Sequence, residues 1–339
     1  MTDNSELREL AESIFADARD AGTGFDAELW KTLEGTGLAR LTLPSDAGGS
    51  EGSFSDAAVV LAEAGAYAAR VPLVETDLLA GWLLHAAGIG VPAGPLTAVT
   101  ATLDVEGSTV RGTLQRVPWA RAAAGIAVLA PHHVVLLGPE QITVTDGSNL
   151  AEEPRDAVVV DGEVPSGAVA AVPEGATQEF RLRAALGRAQ LLAGAARGAL
   201  AAAVRYAGER VQFGRPIGRF QAVQQQLALA AAEVAAASAA ASAAAAAVTA
   251  DGFADPASRL AVAAAKARTG EAAGAVARIA HQVHGAIGFT REHDLRLLTT
   301  RLWAWRDEDG ADAEWNSEIG AAALAAGPEG LWPLVTGRP

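Results

Sequence analysis

The residues best suited to chemistry lie in two segments of the second half of the chain. The first carries Tyr206, Glu209, Arg210, Gln212, Phe213, Gly214, Arg215, Pro216, Ile217, Gly218, Arg219, Phe220 and Gln221. The spacing predicts one helix ending near Gly208 to Arg210 and another beginning near Phe220, with three arginines on the turn between them. Arginine makes planar, paired hydrogen bonds to phosphate oxygens, and glycine lets a backbone approach closely. The turn therefore suits a phosphate-bearing ligand, although a solvated basic turn between two helices accounts for the same residues.

The second segment carries His281, Gln282, His284, Gly285, Ala286, Gly288, Phe289, Thr290, Arg291, Glu292, His293 and Asp294. Two glycines beside an amide and an aromatic ring suggest a helix end pressed against a flat ligand. The three histidines lack a carboxylate set at helical spacing, so no metal is expected and a supporting or capping role is the better reading.

Composition narrows the classes. The chain has 339 residues, a formal charge of −14 and no cysteine, which removes disulfides, zinc-thiolate sites and thiol nucleophiles. So acidic a chain is not expected to offer a broad nucleic-acid surface. Alanine fills much of the apolar half, which favours closely packed helices. The acidic start lacks the basic and apolar regions of a targeting signal. The Ala235–Ala250 tract is too weakly apolar for a membrane span, and a cytoplasmic location is expected.

Residues 1–95 read as an amino-terminal helical domain, with Ser55 as an N-cap candidate before an apolar run. Residues 96–175 are Val-, Thr- and Gly-rich in short runs and read as a small β-domain. Residues 176–339 read as a carboxy-terminal four-helix bundle. The fold class is α+β, mainly α, in an order that argues against a βαβ dinucleotide fold.

The Tyr206–Val223 and Gln282–Leu295 segments, with the Pro44–Gly49 loop, closely resemble those of the acyl-CoA dehydrogenases. The resemblance covers nearly the whole chain. It implies FAD as cofactor, an acyl-CoA substrate, an electron-transfer flavoprotein as redox partner, and a homo-oligomer or a hetero-oligomer with a homologous subunit. It places Arg210, Gln212, Phe213, Ile217, Phe220, Gln221, Gln282 and Gly285 at the pyrophosphate and adenosine half of FAD. It places Trp119 over the flavin ring and Arg188 at the substrate-binding centre. A family glycine is Ala286 here.

The family reaction takes the α-proton of an acyl-CoA with a carboxylate and passes a β-hydride to the flavin. Of the two places where the family carries its glutamate, one is Gly187 here. The other, counted from Phe289, falls on Asp309, followed by Gly310. Asp309 is thus the candidate base, one methylene and roughly 1.5 Å shorter than glutamate. Glu308 takes its place if the loop shifts by one residue. Thr300 stands where an arginine is common, and Ala120 stands where a hydroxyl is usual. Two functions follow from the resemblance: an α,β-desaturating dehydrogenase, or a non-catalytic FAD-binding subunit of a heteromeric one.

Overall fold

The computed structural model describes residues 4–18, 22 and 24–336. Part of the acidic start lies outside them. Packing gathers the chain into two compact units, Met1–Ala21 with Ala58–Ala68 and Ala185–Pro339, and Gly22–Ala57 with Ala69–Ala184. Divisions at residues 95 and 175 describe the order of element types along the chain, which is a different partition.

Helices α1 (Ser5–Asp17), α2 (Ala27–Gly35), α3 (Phe54–Ala66) and α4 (Trp82–Ala86) come first. Asp26 caps α2 by accepting from the Leu29 N–H at 3.0 Å, and α2 buries Leu29, Trp30 and Leu33. The cap of α3 is Ser53 rather than Ser55. Its Oγ accepts from the Asp56 N–H at 3.1 Å while the Asp56 carboxylate accepts from the Ser53 N–H at 2.9 Å. Before α4 the backbone winds as a π-helix over Val74–Gly81, with every residue buried. No periodicity in the sequence signals this segment.

The Val-, Thr- and Gly-rich stretch forms two sheets. Strands β1 (Leu96–Thr100), β4 (Gly125–Leu129), β5 (His133–Leu137) and β8 (Val169–Ala171) form one four-stranded sheet. Strands β2 (Asp104–Glu106), β3 (Thr109–Pro118), β7 (Arg155–Glu163) and β6 (Ile142–Thr145) form another. Only β1–β4 is a parallel pair among these. Both sheets contribute to one core, in which Val110, Leu114, Val158 and Val160 meet Ile126, Val128, Val135 and Leu137.

The second helical part comprises α5 (Ala176–Glu209), a two-stranded hairpin of β9 (Val211–Gln212) and β10 (Arg215–Pro216), then α6 (Gln221–Asp251), α7 (Pro256–His284), α8 (Leu295–Asp307) and α9 (Asp312–Thr336). Its core is built on alanine: Ala195, Ala196, Ala199 and Ala203 of α5 pack with Ala273, Ala277 and Ala280 of α7. Small residues let backbones approach. A Cβ on Gly194 would sit 1.9 Å from the Ala62 carbonyl oxygen, and one on Gly65 would sit 2.2 Å from that of Leu191. This is where α5 crosses α3.

Candidate active site

Both chemistry-bearing segments lie in the first packing unit, and the structure brings them together. The Tyr206 ring near the end of α5 stacks on His284 at the end of α7, with centroids 4.4 Å apart. His293, just before α8, meets the same imidazole edge-on at 4.7 Å. From this junction the β9–β10 hairpin projects Arg210, Gln212, Phe213 and Arg215, all exposed. Phe213 is 92% exposed at the hairpin turn, with φ 51° followed by Gly214 at 77°. Arg215 lies over the Phe220 ring, 4.3 Å from its centroid. Ile217 and Phe220 are half-buried, while Gln221, Gln282, Gly285 and Ala286 are exposed. A Cβ added at Gly285 would meet nothing within 4 Å, so the surface above the end of α7 is open. Guanidinium and amide donors around an exposed ring fit a ligand with phosphates and an aromatic base, and so fit FAD.

A second cluster lies around the loop between α8 and α9. Arg188, buried on α5, donates from Nε to Asp309 Oδ2 at 2.8 Å, and its Nη2 lies 3.4 Å from Glu308 Oε2. The structure thus joins the predicted helix arginine to both predicted acids across 121 positions. Asp309 has φ 58° and Gly310 φ 91°. The left-handed backbone of Asp309 is strained for a non-glycine residue and persists only where its surroundings hold it. Trp315 Nε1 donates to the Asp309 carbonyl at 3.1 Å. Lys266 Nζ donates to the carbonyls of Arg306 and Gly310 at 2.9 and 2.6 Å.

Lys266 and Trp315 were not singled out from sequence. The signal for Lys266 was there: a lone lysine amid Ala263, Ala264, Ala265 and Ala267 sits on an apolar helix face, where only a partnered ammonium is tolerated. It is fully buried, and burial pushes its ammonium down to about 8 against the counteracting field of Asp309. Trp315, also fully buried, gave no comparable signal.

Other sequence-derived expectations fare differently. Trp119 has a left-handed backbone, φ 55°, and its indole is buried in this chain. Ala120 beside it is buried too. Thr300 turns its hydroxyl back to the Arg296 carbonyl at 2.6 Å. The neighbouring Arg301 is buried, donates to the Leu297 carbonyl at 2.7 Å and lies over Trp305.

The second packing unit holds an ionisable pair the sequence did not disclose. Asp77 of the π-helix accepts from the Thr42 N–H at 3.0 Å and from its hydroxyl at 3.1 Å. Burial pushes the Asp77 carboxyl up to about 7, against the opposing pull of Thr42 and Arg183. Burial likewise lowers Arg183, whose guanidinium lies 4.3 Å from the Trp82 ring centroid.

Among the described residues no group of three metal-ligating side chains is assembled. Helix α6 is long and apolar enough by length and composition to cross a membrane, with 28% of its apolar window buried. It packs along α7 and buries Ala230, Val234, Ala237 and Ala241.

Comparisons with known proteins agree with this architecture. Residues 5–89 match the model of the acyl-CoA dehydrogenase N-terminal domain, and residues 178–323 that of the C-terminal domain. The acyl-CoA dehydrogenase IpdE2 of Mycolicibacterium smegmatis is 33% identical over 295 residues, covering 84% of each chain. The protein of the same name from Mycobacterium tuberculosis is 32% identical, covering 87% of this chain and 89% of that one. A chain of the ChsE4–ChsE5 complex from Mycobacterium tuberculosis superposes with a TM-score of 0.85 at 24% identity, covering 97% of this chain and 98% of the other. This chain belongs to the acyl-CoA dehydrogenase family.

Proposed function

We propose that the chain is an FAD-binding subunit of a heteromeric acyl-CoA dehydrogenase, and that the proton-abstracting carboxylate belongs to its partner. The reaction is α,β-desaturation of an acyl-CoA thioester, with electrons passed on to an electron-transfer flavoprotein. FAD, when bound, supplies the flavin that accepts the β-hydride. This chain's part is to present Arg210 and Arg215 to the cofactor's phosphates, Phe213 to its apolar face, and Gln212, Gln221 and Gln282 as amide partners. These groups stand exposed on this chain, as a surface completed by another subunit requires. A two-chain assembly exists within the fold, in the ChsE4–ChsE5 complex. A cytoplasmic location goes with this reading.

The observation that carries it is the Arg188–Asp309 ion pair. A base must give up its charge to take the α-proton. If Asp309 did so, buried Arg188 would lose the counter-charge it holds at 2.8 Å. With Gly187 at the other family position, no unencumbered base remains at either place.

One observation favours the alternative in which Asp309 is the base. Its strained backbone is held by Trp315 and Lys266, and its side chain keeps 24% exposure. Strain of this kind clusters at functional sites.

Purification decides between the two. The chain prepared alone is expected to be colourless and to show no flavin bleaching with acyl-CoA thioesters. Isolated from its native cells by a tag, it is expected to carry flavin together with a second, homologous chain. Stoichiometric FAD in the lone chain, bleached by an acyl-CoA and not bleached in Asp309→Asn, would overturn the proposal.

A further inference from the structure

The FAD-facing surface rests on two buried imidazoles whose hydrogen bonds fix the tautomer of each neutral ring. His284 Nδ1 lies 2.7 Å from the Ala280 carbonyl oxygen. A carbonyl only accepts, so Nδ1 carries a proton, and in the neutral ring Nε2 is a bare lone pair. That Nε2 is buried without a hydrogen-bond partner. His281 is the mirror case. The Thr299 hydroxyl donates to the Leu295 carbonyl at 3.2 Å, so it accepts from His281 Nε2 at 2.9 Å. His281 Nδ1 is then the bare nitrogen, again buried and without a partner.

Each imidazole is also held face to face by aromatic rings. His281 lies between Phe289 at 4.2 Å and Trp303 at 5.2 Å, both nearly parallel to it. His284 stacks on Tyr206, which ties the end of α5 and its hairpin to the end of α7. Arg205 and Tyr206 of α5, His281 of α7 and His293 of the following loop lie around His284.

We infer that His281 and His284, held neutral, are positioning residues that set the Arg210–Phe213 hairpin against the Gln282–Gly285 turn. A second proton on either ring would create a buried cation whose new N–H has no acceptor, and at His284 it would also face Arg205. Burial accordingly holds both imidazoles below the ordinary histidine value. The cofactor surface is therefore assembled at neutral pH and loosened by acid, the steepest possible coupling being about tenfold in affinity per pH unit for each histidine.

The inference rests on the reading of this surface as an FAD site, so its test separates the two. In the complex isolated from native cells, FAD release is followed by flavin fluorescence between pH 8 and pH 5, for the wild type and for His284→Phe. Phenylalanine keeps the stack and cannot titrate. Independently, the imidazole C2–H resonances of the lone chain are titrated by NMR. Expected results are acid release in the wild type, release displaced to lower pH in His284→Phe, and His281 and His284 resonances titrating below those of exposed histidines. Release that is identical in wild type and variant, or buried histidines titrating like exposed ones, would overturn the inference. Absence of FAD at pH 8 would overturn the FAD reading instead, while the resonances still test the neutral pair.

Discussion

Arg188 Nε and Asp309 Oδ2 lie 2.8 Å apart, joining the middle of α5 to a left-handed residue just past α8. The pair ties the loop after α8 to α5. Removing the arginine leaves Asp309 and Glu308 facing each other, whereas Asp309→Asn leaves an oxygen that still accepts from Arg188. Arg188→Met is therefore expected to cost about 3 kcal/mol of unfolding free energy, and Asp309→Asn about 1 kcal/mol. Denaturant midpoints at neutral pH check the order; equal costs would show that the charge pairing contributes nothing.

Phe213 separates binding from stability. A ring 92% exposed buries almost nothing in this chain, so Phe213→Ala should change unfolding free energy by less than about 0.5 kcal/mol. The same change should weaken FAD retention in the native complex by about tenfold or more, measured by flavin release on dilution. Unchanged retention would remove the hairpin from the cofactor surface.

The helical, β, helical order was legible because each class carries its own period and punctuation. The end of α5 at Glu209 and the start of α6 at Gln221 fell where Gly208 and Phe220 suggested. Strands β4, β5 and β6 lie within the Val-, Thr- and Gly-rich stretch of residues 96–175. The partners were not legible. Sequence placed Arg188 and Asp309 at one centre only through the family resemblance, and it gave no hint that they neutralise each other. The lone lysine in an alanine run marks Lys266 but names no partner for it, and the burial of Trp119 has no mark in its neighbours. The winding of Val74–Gly81 as a π-helix leaves no mark on hydrophobic spacing.

Asp77 gives a pH-dependent test. Burial raises its carboxyl from 3.8 to about 7, so the folded chain holds a proton there that the unfolded chain has already lost. Its stabilising contribution is complete below pH 3.8 and is lost as pH rises through about 7. Asp77→Asn removes the buried charge while its amide oxygen still accepts from Thr42. The variant should gain stability over the wild type by on the order of 2–4 kcal/mol between pH 4 and pH 8. Thermal midpoints at the two pH values check this, and a difference independent of pH would contradict it.

Gly194 tests the α3–α5 crossing. A methyl there would overlap the Ala62 carbonyl oxygen at 1.9 Å, and backbone cannot move aside as a side chain can. Gly194→Ala should cost at least about 3 kcal/mol. Gly208→Ala, where a Cβ meets nothing within 4 Å, is the control and should be neutral or slightly stabilising. Similar melting of the two variants would show that the close approach is not required.

The most direct measurement of the assignment of chemistry to the partner is turnover by the Asp309→Asn complex. With the tagged chain isolated from native cells, acyl-CoA-dependent flavin reduction should proceed at a rate within about threefold of wild type, because the α-proton goes to a carboxylate on the other subunit. A loss of flavin reduction by about a thousandfold or more, with FAD content unchanged, would show that Asp309 is itself the base.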